Sequence, residues 1–183
     1  MSPKHSYAST LSPEYPLLGL LIQHPGHGYR IHQRLTTELG NLWRISLSQT
    51  YNILKRLETQ GFIAGQMQQR ASTPARRTFE ATPEGEKRFE EWLHATSGSS
   101  VRAIRVEFIT RLYFALARNK GQAERIIDEQ IMACQERLDF LRGSLDRLPT
   151  DQAFDRLGLE LRIHQLESLL AWLPKCIQIL GVQ

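Results

Sequence analysis

The stretch that decides the fold runs from Ser46 to Gly85 and reads SLSQTYNILKRLETQGFIAGQMQQRASTPARRTFEATPEG. Ser46 and Gln49 have the spacing of a capping box, which predicts a helix start, and Gly61 predicts its end. Two extended runs then flank a polar loop that contains Pro74, and this pattern is typical of a β-hairpin. The stretch therefore predicts a helix followed by a hairpin.

Helices are also predicted on both sides of this stretch. Two precede it, in SPEYPLLGLLIQ, where Ser12 is the expected N-cap, and in YRIHQRLTTELG, and the turn-rich HPGHG separates them. Another follows in TPEGEKRFEEWLHA, opened by Thr82 and Pro83. The predicted order is helix, helix, helix, hairpin, helix.

The helix that begins at the capping box has one apolar face and one polar face. At 100° per residue, the apolar side collects Thr50, Ile53, Leu54 and Leu57. The opposite side and its flanks carry Ser48, Tyr51, Asn52, Lys55, Arg56 and Thr59. Short polar side chains and amides are the groups that meet base edges in a DNA major groove, and cations meet guanine or phosphate. The same face is also compatible with an ordinary solvated helix surface.

Positive charge is concentrated around this helix. The chain carries a formal net charge of +4, whereas the segment from Gly26 to Arg77 alone holds eight Lys and Arg residues and two Glu residues, a net charge of +6. Such clustering is the electrostatic footprint of a phosphate-binding surface. The hairpin, with Arg70 and Arg76 bracketing its loop, is therefore interpreted as a wing that lies against a sugar-phosphate backbone.

With these features the chain resembles the PadR-type transcriptional regulators. The resemblance is carried by LLGLLIQHPGHGYRIHQRL, LSQTYNILKRLETQGFI and RRTFEATPEG, in that order, and covers roughly Leu17 to Leu93. It implies a winged helix-turn-helix that binds operator DNA as a homodimer and usually represses transcription. It also implies that Tyr29 is mainly a packing or positioning residue, that the Tyr51 hydroxyl reaches a phosphate, and that Arg76 is the wing arginine.

The chain departs from the family pattern at two positions. Asn52 stands where members often carry proline, and Phe79 replaces the more usual tyrosine of the wing strand. Asn52 adds an amide that could read a base, so the target sequence is expected to differ. Together, the helix pattern and the resemblance predict DNA contacts from Ser48, Gln49, Tyr51, Asn52, Lys55, Arg56, Arg70, Arg76 and Arg77.

The second half predicts long amphipathic helices. The first is VRAIRVEFITRLYFALAR, and two later segments have apolar residues that alternate at spacings of four and three, separated by Pro149–Asp151. Such seams predict an antiparallel helical hairpin, with a kink near Pro174. This half is similar to the C-terminal region of the virulence-activator branch of PadR-type regulators, which implies an interlocked dimer. The predicted dimerisation residues are Phe108, Leu112, Phe140, Leu161, Leu169 and Trp172.

The predicted fold class is mainly α with a small β-hairpin. The predicted domains are an N-terminal arm (1–11), a winged helix-turn-helix domain (12–96), a linker in the small-residue run ATSGSS (97–100), and a helical, antiparallel coiled-coil-like dimerisation domain (101–183). The N-terminus lacks an apolar signal core and no apolar run approaches the length of a membrane helix, so we expect a cytoplasmic protein without a membrane partner.

The sequence gives little support to functional classes other than DNA binding. GxSxG, Walker, GxGxxG and HExxH motifs do not occur, so an enzyme is not expected, and no cofactor is predicted. His24, His27 and His32 could suggest a metal site, but they lie in or beside a turn and lack an evident fourth ligand. The alternatives left open are a winged-helix protein-interaction module and a small-molecule-responsive activator rather than a repressor.

Two sequence features leave a regulatory role open. Trp92 could line a pocket for a small aromatic effector, or it could simply pack the fourth helix. Cys134 and Cys176 have no CxxC spacing and are either buried small hydrophobes or redox-sensitive thiols.

Overall fold

The computed structural model describes residues 11–70 and 73–181, and its description of side chains leaves out residues 68–76. The predicted N-terminal arm, residues 1–11, therefore lies outside the described residues except for its last position. The chain divides into two compact units between Ala95 and Thr96. Each unit is described by itself below.

The first unit contains the predicted helices and hairpin, in the predicted order, together with one short strand. Its elements are α1 (Glu14–Gln23), β1 (Gly26–His27), α2 (Gly28–Leu39), α3 (Leu47–Thr59), β2 (Ile63–Arg70), β3 (Thr73–Ala81) and α4 (Pro83–His94).

Helix α3 begins and ends where the sequence predicts. The Ser46 hydroxyl accepts a hydrogen bond from the Gln49 backbone N–H at 3.1 Å, and the Gln49 side chain accepts one from the Ser46 N–H at 2.7 Å. After the helix, Gly61 has a φ of 78°, a conformation that glycine adopts without strain. The buried residues of α3 are the predicted four, Thr50, Ile53, Leu54 and Leu57. Its remaining face is therefore available for function.

The sheet has three strands rather than the predicted two. The strand order is β1-β3-β2, all antiparallel, with Gly26 opposite Phe79 and His27 opposite Thr78. A strand of two residues has no alternation of polar and apolar side chains, so the HPGHG segment predicted only a chain break. This extra pairing joins the wing directly to the start of α2.

Helix α1 forms the centre of the first core. Leu17, Leu18 and Leu20 are fully buried. The helix begins one residue later than the Ser12 cap predicted, with Pro13 at the N-cap position, and the Ser12 hydroxyl accepts the Glu14 N–H at 3.3 Å. Thr82 caps α4 as predicted, because its hydroxyl accepts the Gly85 N–H at 3.1 Å.

The second unit is entirely helical in its described residues. A continuous helical segment consists of α5 (Val101–Ala103), a π-helical turn (Ile104–Phe108) and α6 (Ile109–Arg118); α7 (Lys120–Asp146) and α8 (Ala153–Leu180) follow. Helices α7 and α8 pack as the predicted antiparallel pair: Lys120, at the start of α7, donates to the carbonyl of Gly181, just beyond α8. Helix α8 continues through Pro174 to Leu180.

The π-helical turn and the helix α6 that follows it carry buried charges that the sequence pattern did not reveal. Glu107 and Arg111 form an ion pair whose two side chains are 0% and 1% exposed. Arg111 also donates to the Ser97 hydroxyl at 3.1 Å. The Gln130 side-chain amide accepts the Ser97 N–H at 2.9 Å and donates to the Ser97 carbonyl at 3.2 Å. Polar side chains thus fasten the start of this unit onto its own core.

Two of the predicted dimerisation residues are instead core residues. Phe108 is 0% exposed and Leu112 is 5% exposed within the single chain. A side chain enclosed by its own subunit has no surface to offer a second subunit, so the prediction for these two is corrected. By contrast, Phe140 and Leu161 are well exposed, and Leu169 and Trp172 are half-buried.

None of the helices among the described residues combines the length and apolar character needed to cross a membrane.

Candidate nucleic-acid interface

An open groove with a volume of about 1200 Å³ lies in the first unit, along α2, α3 and the wing. Its lining includes Tyr29 and Arg30 of α2, Tyr51, Asn52 and Lys55 of α3, and Arg77 of β3. Aromatic hydroxyls, an amide and cations therefore converge on one concave surface. This composition suits an anionic polymer with hydrogen-bonding edges.

The exposed side of α3 presents four of the residues predicted from the sequence. Ser48, Tyr51, Asn52 and Lys55 are all exposed, and none of them serves the core. Tyr51 lies against Gly28, where a β-carbon would overlap its ring. Gly28, at the start of α2, is thus required for the close approach that positions Tyr51.

Gln49 has a structural role in addition to its predicted one. Its side-chain carbonyl accepts the Ser46 N–H and closes the capping box. The carbonyl oxygen is therefore engaged in the helix start, while the amide NH₂ group can still donate to DNA.

Tyr29 separates the two roles that the resemblance implies for it. Its side chain is 61% exposed and lines the groove, so it is not a packing residue, and the positioning role stays a prediction. The sequence left both roles open because a tyrosine in the first turn of a helix can face either way. The HGY turn provides the sequence signal, since Gly28 brings α2 close to Tyr51.

The predicted cationic segment separates into paired and available cations. Arg34 binds Glu38 at 2.8 Å, Arg56 binds Glu14 at 2.5 Å, and Arg77 binds Glu58 at 2.6 Å. Among the described side chains, no acidic partner contacts the other three described cations of the segment, which are Arg30, Arg44 and Lys55. The segment thus keeps its net charge of +6, but half of its described arginine and lysine groups are already held by carboxylates.

Arg56 and Arg77, both predicted to contact DNA, therefore have structural partners. Glu14 is 8% exposed and also binds Arg88 at 2.8 Å, so it joins α3 to α4 through two arginines. Arg77 lies over the Phe79 ring, 5.5 Å from its centroid. Both guanidinium groups remain about half exposed, and Arg77 still lines the groove.

Arg70 and Arg76 lie at the far end of the wing. In the backbone register, Arg76 pairs with Gln68 and Arg70 pairs with Thr73, with an irregularity between the two pairs. Their side chains lie outside the described residues. Contact between these arginines and phosphate stays a prediction.

Two of the histidines that suggested a metal site instead connect elements. His27 Nδ1 lies 3.2 Å from the Arg77 carbonyl and 3.1 Å from the Thr78 hydroxyl, so it links β1 to β3 of the wing. His32 Nδ1 lies 2.9 Å from the Thr50 hydroxyl and links α2 to α3. Among the described residues, no three His, Cys, Asp or Glu side chains form a metal-binding group.

Trp92, the candidate pocket residue, is used in packing. Its ring stacks on Tyr15 with centroids 4.8 Å apart and planes 6° from parallel, and Phe89 lies at 5.5 Å. The side chain is 4% exposed. This arrangement favours the packing interpretation over an effector pocket at Trp92.

The two cysteines are buried in the second unit. Burial raises the pKa of the Cys134 thiol, although a hydrogen bond from Gln130 acts in the opposite direction. Burial likewise raises the pKa of the Cys176 thiol. A neutral, buried thiol is a poor nucleophile, so both cysteines fit the small-hydrophobe interpretation.

Family models match both halves of the chain. The transcriptional regulator PadR-like family matches residues 17–91, and the virulence activator alpha C-terminal model matches residues 104–181. The chain belongs to the PadR-like family of transcriptional regulators. As a PadR-type, DNA-binding regulator it is not an enzyme.

The chain is also similar to individual proteins. The negative transcriptional regulator PadR of Bacillus subtilis (strain 168) is 28% identical over 137 residues, which is 74% of each chain. The crystal structure of B. subtilis PadR with operator DNA matches 91% of this chain and 98% of that chain, at 22% identity and a TM-score of 0.45. The same regulator with p-coumaric acid matches 92% and 98%, at 23% identity and a TM-score of 0.40. The family assignment rests on the two family models.

Proposed function

We propose that this PadR-type regulator binds a near-palindromic operator as a homodimer and represses transcription. The observation that supports the proposal best is the exposed face of α3, which opens onto the groove with Tyr51, Asn52 and Lys55 side by side. Because the other face of α3 is buried in the core, the exposed face can enter a major groove while the domain stays folded.

In the proposed complex, α3 lies in the major groove. Ser48, Asn52 and Lys55 meet base edges, because hydroxyl, amide and ammonium groups match the donors and acceptors displayed there. Tyr29 and Tyr51 donate their hydroxyls to phosphates, which fixes the position of the helix. The wing follows the adjacent backbone through its arginines, as predicted for Arg70 and Arg76.

The proposed dimer forms through the second unit. Exposed apolar side chains lie on α7 and α8, with Phe140 at 57%, Leu161 at 60%, Leu157 at 61% and Phe154 at 89%. Exposed apolar residues on two neighbouring helices favour burial against a further surface, and a second copy provides a self-complementary one. A two-fold axis would place the two α3 helices roughly 34–36 Å apart, which is about one turn of DNA.

We propose repression rather than activation because the similar B. subtilis protein is a negative transcriptional regulator. A dimer on an operator that overlaps a promoter would exclude polymerase, and any change in the relative orientation of its two winged units would release it. Activation is the alternative if the operator lies upstream of the promoter. A small aromatic effector stays a prediction, without Trp92 as its binding residue.

A protein-interaction module is the second candidate, and the groove argues against it. Protein-docking surfaces have cores depleted of charge, whereas this groove carries Arg30, Lys55, Glu58 and Arg77. The charged residues of the groove instead suit contact with a phosphate backbone.

Fluorescence anisotropy would test the proposal. The purified protein is titrated into labelled DNA from upstream of its own gene and into a scrambled duplex, at roughly 50 and 200 mM salt. We expect tighter binding to the upstream duplex and a steep loss of affinity at the higher salt concentration. Equal, weak binding to both duplexes would contradict the proposal, and a pull-down would then address the protein-interaction alternative.

A further inference from the structure

We propose that Glu58 is a positioning residue that sets DNA specificity by holding the wing to the recognition helix α3, an inference that rests on the proposed operator binding. Glu58 is one of two carboxylates in the cationic segment from Gly26 to Arg77, and it lines the groove. An anion on a surface that faces phosphate is repelled by its ligand. Its place in the groove therefore requires an explanation other than direct contact with DNA.

The contacts of Glu58 supply that explanation, because they join three elements. Glu58 lies in the last turn of α3, and its Oε1 accepts the backbone N–H of Gly65 in β2 at 3.0 Å. The same oxygen accepts a hydrogen bond from Arg77 Nη2 of β3 at 2.6 Å. One carboxylate oxygen thus connects the recognition helix to both strands of the wing.

Gly65 provides the space for this arrangement. A β-carbon on Gly65 would lie 2.5 Å from Arg77 Nε and 2.6 Å from Glu58 Oε1. Any larger residue there would push the two charged groups apart. The ion pair therefore depends on glycine at position 65. We call the structural unit formed by Glu58, Gly65 and Arg77 the wing tie.

The wing tie contributes orientation more than stability. The Glu58 and Arg77 side chains are 25% and 51% exposed, and ion pairs in such positions add little to the free energy of unfolding. The distance between α3 and the wing, however, determines whether base contacts and backbone contacts form together. The tie also neutralises Arg77, which would otherwise attract any phosphate regardless of sequence. Both effects raise the preference for the correct operator.

Three variants separate the charge of Glu58 from its geometry. Glu58→Ala removes the charge and the tie. Gly65→Ala displaces the tie without changing the net charge. Glu38→Ala removes the same charge from the other carboxylate of the cationic segment, whose ion pair with Arg34 lies within α2.

The measurement is the ratio of Kd on scrambled DNA to Kd on upstream DNA, together with the salt dependence of each Kd. We expect Glu58→Ala and Gly65→Ala to lower this ratio roughly fivefold or more, the size of a typical coupling between contacting groups. For Glu58→Ala, binding to scrambled DNA should tighten and its salt slope should steepen by about one, because Arg77 becomes free to bind phosphate. Glu38→Ala should leave the ratio unchanged.

Thermal unfolding of each variant serves as the folding control, and all midpoints should lie close to that of the unaltered protein. The proposal is overturned if Glu58→Ala and Gly65→Ala keep the original ratio, or if Glu38→Ala lowers it equally. Failure of the proposed function is distinguishable, because the unaltered protein would then show no preference for upstream DNA. The tighter binding to scrambled DNA that Glu58→Ala causes should also disappear in an Arg77→Ala background, and its persistence there would contradict the tie.

Discussion

In the first unit, the Arg77–Glu58 ion pair lies at the surface and joins two elements, whereas in the second unit Glu107 and Arg111 form an ion pair that is buried within one helical segment. The side chains of Arg77 and Glu58 are 51% and 25% exposed, while those of Arg111 and Glu107 are 1% and 0% exposed. Water screens the first kind of pair and is excluded from the second. An ion pair of a carboxylate and a guanidinium group is therefore expected to contribute differently to stability in the two units.

Apolar groups show the reverse distribution. The first unit directs cations and hydroxyls into its groove, but the second unit leaves Phe154, Leu157 and Leu161 exposed on one side of α8. This difference supports the proposal that the first unit contacts a polar, charged ligand and that the second unit contacts another apolar surface. The following predictions test this division, from the largest expected effect to the smallest.

Removing one member of the buried pair should have the largest effect. Glu107→Ala leaves the Arg111 guanidinium without its buried counter-ion, so we expect the free energy of unfolding to fall by roughly 3–5 kcal/mol. Glu107→Gln, which preserves the volume, should also be strongly destabilising because the charge is still lost. Urea unfolding followed by circular dichroism would measure both variants.

The matched control for the buried pair is an exposed pair in the same unit. Arg142 and Glu167 bind at 2.8 Å with side chains that are 52% and 39% exposed. Arg142→Ala should cost less than about 1 kcal/mol. Similar losses for Arg142→Ala and Glu107→Ala would remove the distinction between the two kinds of ion pair.

A charge placed on the exposed apolar side of α8 should prevent dimerisation. Leu161→Glu is tolerated by the folded monomer because Leu161 is 60% exposed, but it would desolvate a carboxylate in the proposed interface. We expect a monomer by light scattering and a loss of operator affinity of about 100-fold or more, since two linked sites become one. Gln178→Glu adds the same charge at a polar, exposed position of α8 and should change neither property; an unchanged dimer in Leu161→Glu would disprove this interface.

Single cations of the first unit should affect DNA binding in two distinguishable ways. Lys55→Ala should weaken operator binding by roughly 1–3 kcal/mol and lessen the preference for the operator, because a base contact is lost. Arg76→Ala should weaken binding to all sequences and reduce the salt slope by about one, as expected for a phosphate contact. Anisotropy titrations on both duplexes would measure these effects, and unaltered affinity of Arg76→Ala on every sequence would show that the wing is wrongly assigned.

The buried thiols should produce the smallest effect, a decline in stability at alkaline pH. Because the pKa values of Cys134 and Cys176 are raised in the folded protein, the unfolded chain loses its thiol protons first. The free energy of unfolding should therefore fall as pH rises above about 8.5, the pKa of an exposed thiol. Thiol titration should find both cysteines slow to react in the native protein and fast in denaturant; rapid native labelling would revive the redox alternative.

Local patterns predicted the first unit well. The capping box of Ser46 and Gln49 fixed the start of α3, and its apolar spacing identified the same four buried residues that the structure contains. These features depend on neighbours within one or two helical turns, which a sequence displays directly.

Contacts between distant residues could not be predicted in the same way. Glu14 and Arg56 are 42 residues apart, and Glu58 and Arg77 are 19 apart, so no periodicity places them together. From the sequence alone, Arg56 and Arg77 were therefore expected to be free to contact DNA.

In the second unit, the regular spacing was itself misleading. Ile104, Phe108 and Leu112 form a helical stripe in the sequence, but all three are at most 5% exposed and pack within the core of their own unit. Periodicity shows that a face is apolar, and it does not show whether the same subunit or another one covers it.

Hydroxyl-radical footprinting on the upstream DNA tests the central claim most directly, namely that a dimer reads two half-sites with its α3 helices. We predict two protected segments on one face of the duplex, about 10–10.5 base pairs apart from centre to centre. Protection by Leu161→Glu should be lost at the concentration that protects fully with the unaltered protein. A single protected segment, or uniform protection along the duplex, would contradict the account.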